Sequence, residues 1–162
     1  MFVILRHAEP RSSELDPELT SFGHQVALEA GAWVQTLLPH APRVQVWHTP
    51  TMRTRQTAAA VALCLADRAQ EGELEALPET TDDLHVLADR LAGGHPDLPT
   101  PPLPPVVLVG HHTTLVGLAR DLALPSTELQ PRNFCAGLAL VRDAAAPSGW
   151  RVLASHPGRL PG

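Results

Sequence analysis

The 162-residue chain contains no lysine and no tyrosine, so all twelve of its basic residues are arginine. Without lysine, the protein has no side chain for Schiff-base chemistry or for attachment of pyridoxal phosphate, and it lacks the lysine of a P-loop. Without tyrosine, it has no phenolic nucleophile or acid. Nine histidines are present, and we therefore expect the chemistry to rest on histidine and arginine.

Cysteine is scarce, and long apolar runs and excess positive charge are missing. The two cysteines, Cys64 and Cys135, form neither a metal-binding motif nor a disulfide framework. No apolar run approaches the ~20 residues of a membrane span, and the N-terminus has neither the basic region nor the cleavage site of a signal peptide. The net charge of −5 argues against nucleic-acid binding. We expect a cytoplasmic protein with no nucleic-acid partner and no membrane partner.

The length and apolar content fit a single domain, 1–162, which needs no disulfide or metal to fold. Strands that alternate with helices are typical of a three-layer α/β/α sandwich with a mainly parallel central sheet. The predicted strands are Phe2–Leu5, Arg43–Trp47, Leu74–Leu77, Val106–Val109, Phe134–Val141 and Trp150–Ala154. The predicted helices run from Thr20 to Pro39 and over Thr51–Ala66, Thr81–Leu91 and His111–Leu122. We expect Gly93–Pro105 to be a stiff proline-rich connector and Pro157–Gly162 to be a frayed tail.

Histidine and arginine follow three of the predicted strands. The first strand ends in Arg6-His7, the second in His48 shortly before Arg53, and the fourth in His111. Ligands of open α/β sheets bind beyond the carboxyl ends of the strands, so we expect these side chains to meet at one edge. Arginine side chains and helix N-termini both favour a phosphate group, and a neutral imidazole can attack it.

Four sequence blocks resemble the motifs of the histidine phosphatase superfamily, the phosphoglycerate-mutase-like enzymes. Leu5-Arg6-His7-Ala8-Glu9 resembles the Arg-His-Gly signature, with alanine in place of glycine at Ala8. The other three blocks follow in the family's order and are 19–27 (LTSFGHQVA), 49–58 (TPTMRTRQTA) and 107–111 (VLVGH). The short chain is similar to the SixA-type branch of small phosphohistidine phosphatases. The resemblance implies the phosphoglycerate-mutase-like α/β fold.

The resemblance also implies that His7 is the nucleophile and is transiently phosphorylated. The substrate-binding residues that we expect are Arg6, Arg53, His111, Glu9 and Thr20, and the first three would hold the phosphoryl oxygens during catalysis. Two neighbouring cations would disfavour protonation of His7, and a backbone acceptor on one ring nitrogen would aim the other at phosphorus. Because guanidinium groups neutralise the phosphoryl charge, we expect no metal and no cofactor. Phosphate or sulfate could occupy the site.

The general acid is less clearly marked in the sequence. Glu79 follows the predicted strand Leu74–Leu77 and is our candidate, with Asp82 and Asp83 as competitors. Glu9 is expected at the rim of the pocket, and Thr20 also fits a helix start. Arg55 lies outside the motif position and is expected to pair with carboxylates on a solvent-facing surface.

The sequence therefore predicts a phosphatase that hydrolyses a phosphomonoester or phosphohistidine through phospho-His7. Its partner would be a phosphorylated small molecule or a phosphohistidine protein. The alternatives are a non-catalytic phospho-ligand binding module on the same fold, a sugar-phosphate phosphatase or mutase, and a metallohydrolase that uses His7, His48, His111 and His112. Specificity is assigned to the loops 8–19, 78–83 and 93–105, whose composition does not identify the substrate. The sequence leaves the oligomeric state open.

Overall fold

We analysed the protein in a computed structural model that describes residues 1–12, 16–91, 103–125 and 130–160. The elements are β1 (Phe2–Arg6), α1 (Ser21–Leu37), β2 (Val44–His48), α2 (Met52–Leu65), a 3₁₀ turn (Ala66–Arg68), β3 (Ala69–Glu73), α3 (Thr81–Leu91), β4 (Val106–Gly110), α4 (His112–Asp121), β5 (Gly137–Arg142) and β6 (Trp150–His156). Most of the predicted connector (93–102), part of the predicted specificity loop (13–15) and the end of the predicted tail (161–162) lie outside the described residues.

The strands form one mixed, mainly parallel sheet in the order β3-β2-β4-β1-β5-β6. The pairs β2–β3, β2–β4 and β1–β4 are parallel, whereas β5 runs antiparallel to β1 and β6 antiparallel to β5. In the β1–β4 pair, Arg6 lies opposite Gly110. This register brings the carboxyl ends of β1 and β4 level, so the residues that follow them emerge side by side.

The sheet separates two apolar cores, and this confirms the predicted three-layer α/β/α arrangement. Side chains alternate across a strand, so β1 sends Val3 and Leu5 to one face and Phe2 and Ile4 to the other. The first core packs the sheet against α1 and α2 and includes Val26, Val34, Val46, Ala58 and Val61. The second packs it against α3 and α4 and includes Leu84, Leu87, Leu108, Leu115 and Leu118. In the described ranges, no helix has the length and apolar character needed to cross a lipid bilayer.

The predicted strand Leu74–Leu77 is wrong. The third strand is Ala69–Glu73, with the polar sequence AQEGE. An edge strand has little apolar surface to bury, so its sequence lacks the apolar pattern by which a strand is predicted. Its glycine lies against the Trp47 ring, where a Cβ atom would come within 2.4 Å of the ring. Leu74 and Leu77 pack instead into the core on the α3 and α4 side of the sheet.

The fifth strand begins three residues later than predicted, at Gly137 instead of Phe134. Cys135 has a φ angle of +56°, which interrupts an extended chain. The Ala136 N–H donates to the Asn133 carbonyl in a turn. Phe134 lies in this turn and pairs its backbone with Arg159 near the C-terminus. The other predicted elements are present with shifts of a few residues at their ends.

Candidate active site

His7 and His111 emerge next to each other from the ends of β1 and β4. The His7 N–H donates to the Gly110 carbonyl at 2.8 Å, which continues the strand pairing by one residue. The centroids of the two imidazole rings lie 5.3 Å apart, with 69° between the ring planes. His111 is the N-cap residue of α4, but its side chain does not cap the helix. The adjacent parallel strands therefore place both rings at one edge of the sheet.

One hydrogen bond orients the His7 ring. Its Nδ1 lies 2.7 Å from the Ala8 carbonyl oxygen, and a carbonyl can only accept, so Nδ1 carries the proton in the neutral ring. Ala8 thus provides the backbone acceptor that was expected on one ring nitrogen. The lone pair of a neutral His7 is consequently on Nε2, which is the tautomer that a nucleophilic Nε2 needs.

The His7 ring stays neutral because it is buried. The residue is only 8 % exposed, and its pKa is lowered from 6.5 to about 3, with burial as the largest cause. The charges of Arg6 and Arg53 and the neighbouring His111 contribute to this lowering, while the bond to the Ala8 carbonyl opposes it. The two cations expected to keep the ring neutral both contribute, but loss of water around the ring is the larger effect.

The guanidinium group of Arg6 stacks on the ring of Phe134. Its central carbon lies 4.5 Å from the ring centroid, within the range of a cation–π interaction. The same ring lies 6.1 Å from the His7 ring. The buried Nε of Arg6 has no hydrogen-bond partner in the described part of the chain, and burial lowers the pKa of the guanidinium group. The Phe134 ring therefore packs against the Arg6 guanidinium group and lies beside the His7 ring.

Arg53 lies in the first turn of α2, and Thr57, one helical turn later on the same face, bonds to the backbone of Ala8 next to His7. This face of α2 therefore meets the same edge, and the charge of Arg53 lowers the pKa values of both His7 and His111. Burial is the largest cause of the lowered pKa of His111, whose Nε2 lies 3.3 Å from the Thr49 hydroxyl. The structure thus brings Arg6, His7, Arg53 and His111 together. This arrangement places two positive charges beside a neutral, oriented imidazole.

Solved structures share this fold over nearly the whole chain. The phosphohistidine phosphatase SixA from Nakamurella multipartitia is 28 % identical, with a TM-score of 0.61, and the match covers 96 % of this chain and 95 % of that one. The corresponding protein from Agrobacterium tumefaciens is 17 % identical, with a TM-score of 0.66 and coverage of 99 % and 97 %. The chain is thus similar to proteins of the histidine phosphatase superfamily, and among them to the SixA-type branch.

Other histidine phosphatases show the same architecture with a different named substrate. A mycobacterial glucosyl-3-phosphoglycerate phosphatase, solved with VO₃, is 17 % identical, with a TM-score of 0.65 and coverage of 97 % of this chain and 98 % of that one. At this level of identity the likeness concerns the fold. No protein-family model and no curated protein match the sequence.

Glu9 and Thr20 hold the loop after His7 against α1. The Thr20 hydroxyl accepts from the Gly23 N–H at 2.8 Å as the N-cap of α1, and it donates to the Glu9 carboxylate. The Thr20 N–H also donates to the Glu9 carbonyl at 3.0 Å. A Cβ atom at Gly23 would lie 2.3 Å from that carbonyl oxygen, so the close approach requires glycine. The expected substrate contacts of Glu9 and Thr20 stay predictions.

The three candidate acids lie around the start of α3, beyond a loop and not directly after a strand. The Asp83 carboxylate accepts from the Thr80 N–H and hydroxyl, and the Asp83 N–H donates to the Thr80 hydroxyl. This reciprocal cap uses Asp83 to begin the helix. Glu79 and Asp82 are exposed, and neither carboxylate forms a hydrogen bond or ion pair within the described ranges. They remain the candidates for the acid.

The remaining charged and histidine side chains near this edge point to other partners. Arg55 is exposed and pairs with Glu73 at 3.4 Å, which confirms the expected solvent-facing ion pair. His48 is buried, with Nδ1 2.8 Å from the Thr49 carbonyl, and His112 is exposed. Across 1–12, 16–91, 103–125 and 130–160, no three His, Cys, Asp or Glu residues are grouped so that they could hold a metal ion.

Sequence reasoning missed three residues that contact this site. Thr49 and Thr57 lie inside the block 49–58, but no function was assigned to them. Thr57 follows Arg53 by one helical turn on the same face of α2, and this spacing could have drawn attention to it. Phe134 was assigned to a strand. It lies 128 positions from Arg6 in the sequence, and no local pattern marks that contact.

Proposed function

We propose that the protein is a metal-independent phosphatase that hydrolyses a phosphomonoester or phosphohistidine through a phospho-His7 intermediate. The observation that carries the proposal is the His7 ring itself, which is buried, neutral and bonded through Nδ1 to the Ala8 carbonyl. Its free Nε2 lies in a site that also contains Arg6 and Arg53. A phosphoryl group is the substrate group whose charge these residues complement.

In the first step, Nε2 of His7 attacks phosphorus. The bond from phosphorus to the leaving oxygen or nitrogen breaks, and its electron pair stays with the leaving group. Arg6, Arg53 and His111 hold the equatorial oxygens, where the guanidinium groups offset the negative charge of the transition state. An alkyl oxygen leaves with a proton from Glu79 or Asp82. Phosphohistidine has a better leaving group and needs less help from an acid.

In the second step, water attacks phospho-His7. The bond between phosphorus and Nε2 breaks, and its electron pair returns to the imidazole. The carboxylate that gave up its proton in the first step takes one from the water, so the acid is restored. Inorganic phosphate leaves between the two arginines. The cycle needs no cofactor, since the arginines supply the positive charge that a metal ion would otherwise provide.

Phosphohistidine is the substrate class that we favour. Support comes from the SixA-type protein of Nakamurella multipartitia, which at 28 % identity is more similar to this chain in sequence than the sugar-phosphate enzymes at 17 or 18 %. A phosphorylated sugar is the second candidate because the glucosyl-3-phosphoglycerate phosphatase has the same fold over 97 % of this chain. Comparison of hydrolysis rates on phosphorylated polyhistidine and on sugar phosphates would separate the two classes.

The proposed activity is tested with purified protein, p-nitrophenyl phosphate and chemically phosphorylated polyhistidine, with and without a chelator. We expect turnover that the chelator leaves unchanged and that falls at least about 10³-fold in His7→Gln, since removal of a nucleophile abolishes covalent catalysis. His24→Gln, which changes an exposed histidine of α1, should keep the wild-type rate. Phosphate binding without turnover would favour the non-catalytic module, and loss of activity with chelator would favour a metallohydrolase.

A further inference from the structure

We propose that Thr57 is a positioning residue that keeps His7 in its reactive tautomer. The inference rests on the proposed function, in which Nε2 of His7 is the nucleophile. Thr57 lies in α2, is 0 % exposed and sits one helical turn after Arg53. In the described residues no hydrogen bond joins it to the His7 ring, and it acts through the backbone of Ala8.

The Thr57 hydroxyl fixes the peptide that follows His7. The Ala8 N–H donates to Thr57 Oγ1 at 3.0 Å in a buried hydrogen bond. The carbonyl of the same residue, Ala8, accepts from His7 Nδ1 at 2.7 Å. The two groups belong to neighbouring peptide units that meet at the Ala8 Cα, so the bond to the N–H holds the Cα from which the carbonyl extends. Thr57 thereby helps to keep the acceptor for Nδ1 in place.

The hydroxyl itself is held in a single orientation. It donates to the Arg53 carbonyl at 2.6 Å, the back-bond that threonine commonly makes within a helix. A hydroxyl has one proton and two acceptor positions. With its proton given to Arg53, the oxygen can only accept from Ala8, so the direction of the bond to the Ala8 N–H is fixed.

Main-chain groups hold the backbone of His7 itself. The His7 N–H donates to Gly110, and the Cys135 N–H donates to the His7 carbonyl. Thr57 thus supplies the side-chain bond on the side of the chain that faces α2. Without its hydroxyl, the buried Ala8 N–H would lose this acceptor, and the His7–Ala8 peptide would be favoured to turn towards another one. That turn would displace the Ala8 Cα and with it the carbonyl of the next peptide, so the carbonyl would move away from Nδ1 and the ring could shift its proton to Nε2.

A purely structural function for Thr57 predicts something different. In that case, loss of the hydroxyl would lower the stability of the protein but leave the His7 tautomer and the chemical step unchanged. The positioning function predicts a changed tautomer and a slower transfer of the phosphoryl group to His7. Binding of inorganic phosphate should change little, because the arginines that hold it are not moved.

The experiment compares Thr57→Val and Thr57→Ala, which lack the hydroxyl, with Thr57→Ser, which keeps it. Thr36→Val is the matched control, since Thr36 also donates to a helix carbonyl, that of Trp33, at 2.7 Å, but on the exposed surface of α1. The His7 tautomer is determined from ring-nitrogen chemical shifts at neutral pH, with His7→Asn used for assignment. Rapid-quench kinetics with p-nitrophenyl phosphate gives the rate of phosphoenzyme formation.

We expect His7 to carry its proton on Nδ1 in the wild type, Thr57→Ser and Thr36→Val, and on both nitrogens in Thr57→Val and Thr57→Ala. Phosphoenzyme formation should slow about 10- to 100-fold in the last two, the size of effect that misplacement of a reacting group produces. A wild-type tautomer and rate in either variant would overturn the proposal. Loss of the fold in both would also overturn it, since Thr57 would then belong to the scaffold. If the wild type lacks phosphatase activity, the proposed function fails, but the tautomer measurement still tests Thr57.

Discussion

Burial of the neutral His7 ring makes the stability of the fold depend on pH. In the unfolded chain the ring has its ordinary pKa of 6.5, whereas in the folded protein the pKa is about 3. Between these values the unfolded state binds a proton that the folded state does not bind. The free energy of unfolding therefore falls as the pH falls from about 6.5 to about 3, and the full contribution of His7 is present above 6.5.

The size of the effect follows from the same two values. At pH 5, about 1.5 pH units below 6.5, nearly all unfolded chains carry the proton, and each unit is worth about 1.36 kcal/mol. His7 should thus lower the free energy of unfolding by about 2 kcal/mol between pH 8 and pH 5. Because the folded-state ring is still neutral at pH 5, this figure is set by the unfolded state.

The assay is urea unfolding of the wild type and His7→Asn at pH 8 and pH 5. Asparagine does not titrate, and its amide can still donate to the Ala8 carbonyl. Between the two pH values, His7→Asn should lose about 2 kcal/mol less stability than the wild type. His24→Asn should follow the wild type, since this exposed ring is surrounded by water in both states. An equal pH dependence in the wild type and His7→Asn would refute the account of a buried, neutral nucleophile.

The Phe134 ring and the acids near α3 give further predictions. Phe134→Leu removes the cation–π contact to Arg6 and should raise the inhibition constant of inorganic phosphate about 2- to 30-fold, while Phe134→Tyr should keep it near the wild-type value. Glu79→Gln should slow hydrolysis of an alkyl phosphate by about 10²- to 10⁴-fold but that of an aryl phosphate far less. The same selective loss in Asp82→Asn, with none in Glu79→Gln, would move the acid to Asp82. Asp83→Ala should lower the free energy of unfolding by about 1 kcal/mol in urea, through loss of the helix cap.

The elements that the sequence predicted well are those with a strong local pattern. The run Val106–Val109 is apolar because β4 lies in the middle of the sheet and is covered on both faces. The edge strand Ala69–Glu73 has no such pattern, and the apolar residues beyond it were mistaken for a strand. The start of β5 was misplaced because the positive φ angle of Cys135 is not visible in its side-chain type.

The residues of the candidate site also divide into those that a local sequence pattern marks and those that only tertiary packing brings together. Arg6, His7 and His111 lie at or directly after strand ends, and Arg53 lies at the start of the helix that follows β2, so local motifs together with one rule of sheet topology were enough to expect them at one edge. Glu79 depends on the path of a loop, which local sequence does not determine. The contact between Ala8 and Thr57 joins positions 49 residues apart, and that between Arg6 and Phe134 joins positions 128 apart. Both exist only because the chain packs as it does.

Trapping the phosphorylated protein tests most directly whether His7 is the nucleophile. The wild type is mixed with a phosphorylated substrate, denatured within the first turnovers and digested, and the peptides are analysed by mass spectrometry under conditions that preserve phosphohistidine. The account predicts one phosphoryl group on the peptide that contains His7, located on that residue by fragmentation and missing from His7→Asn. Steady hydrolysis by the wild type with no phosphoryl group on His7, or with the group on another residue, would contradict it.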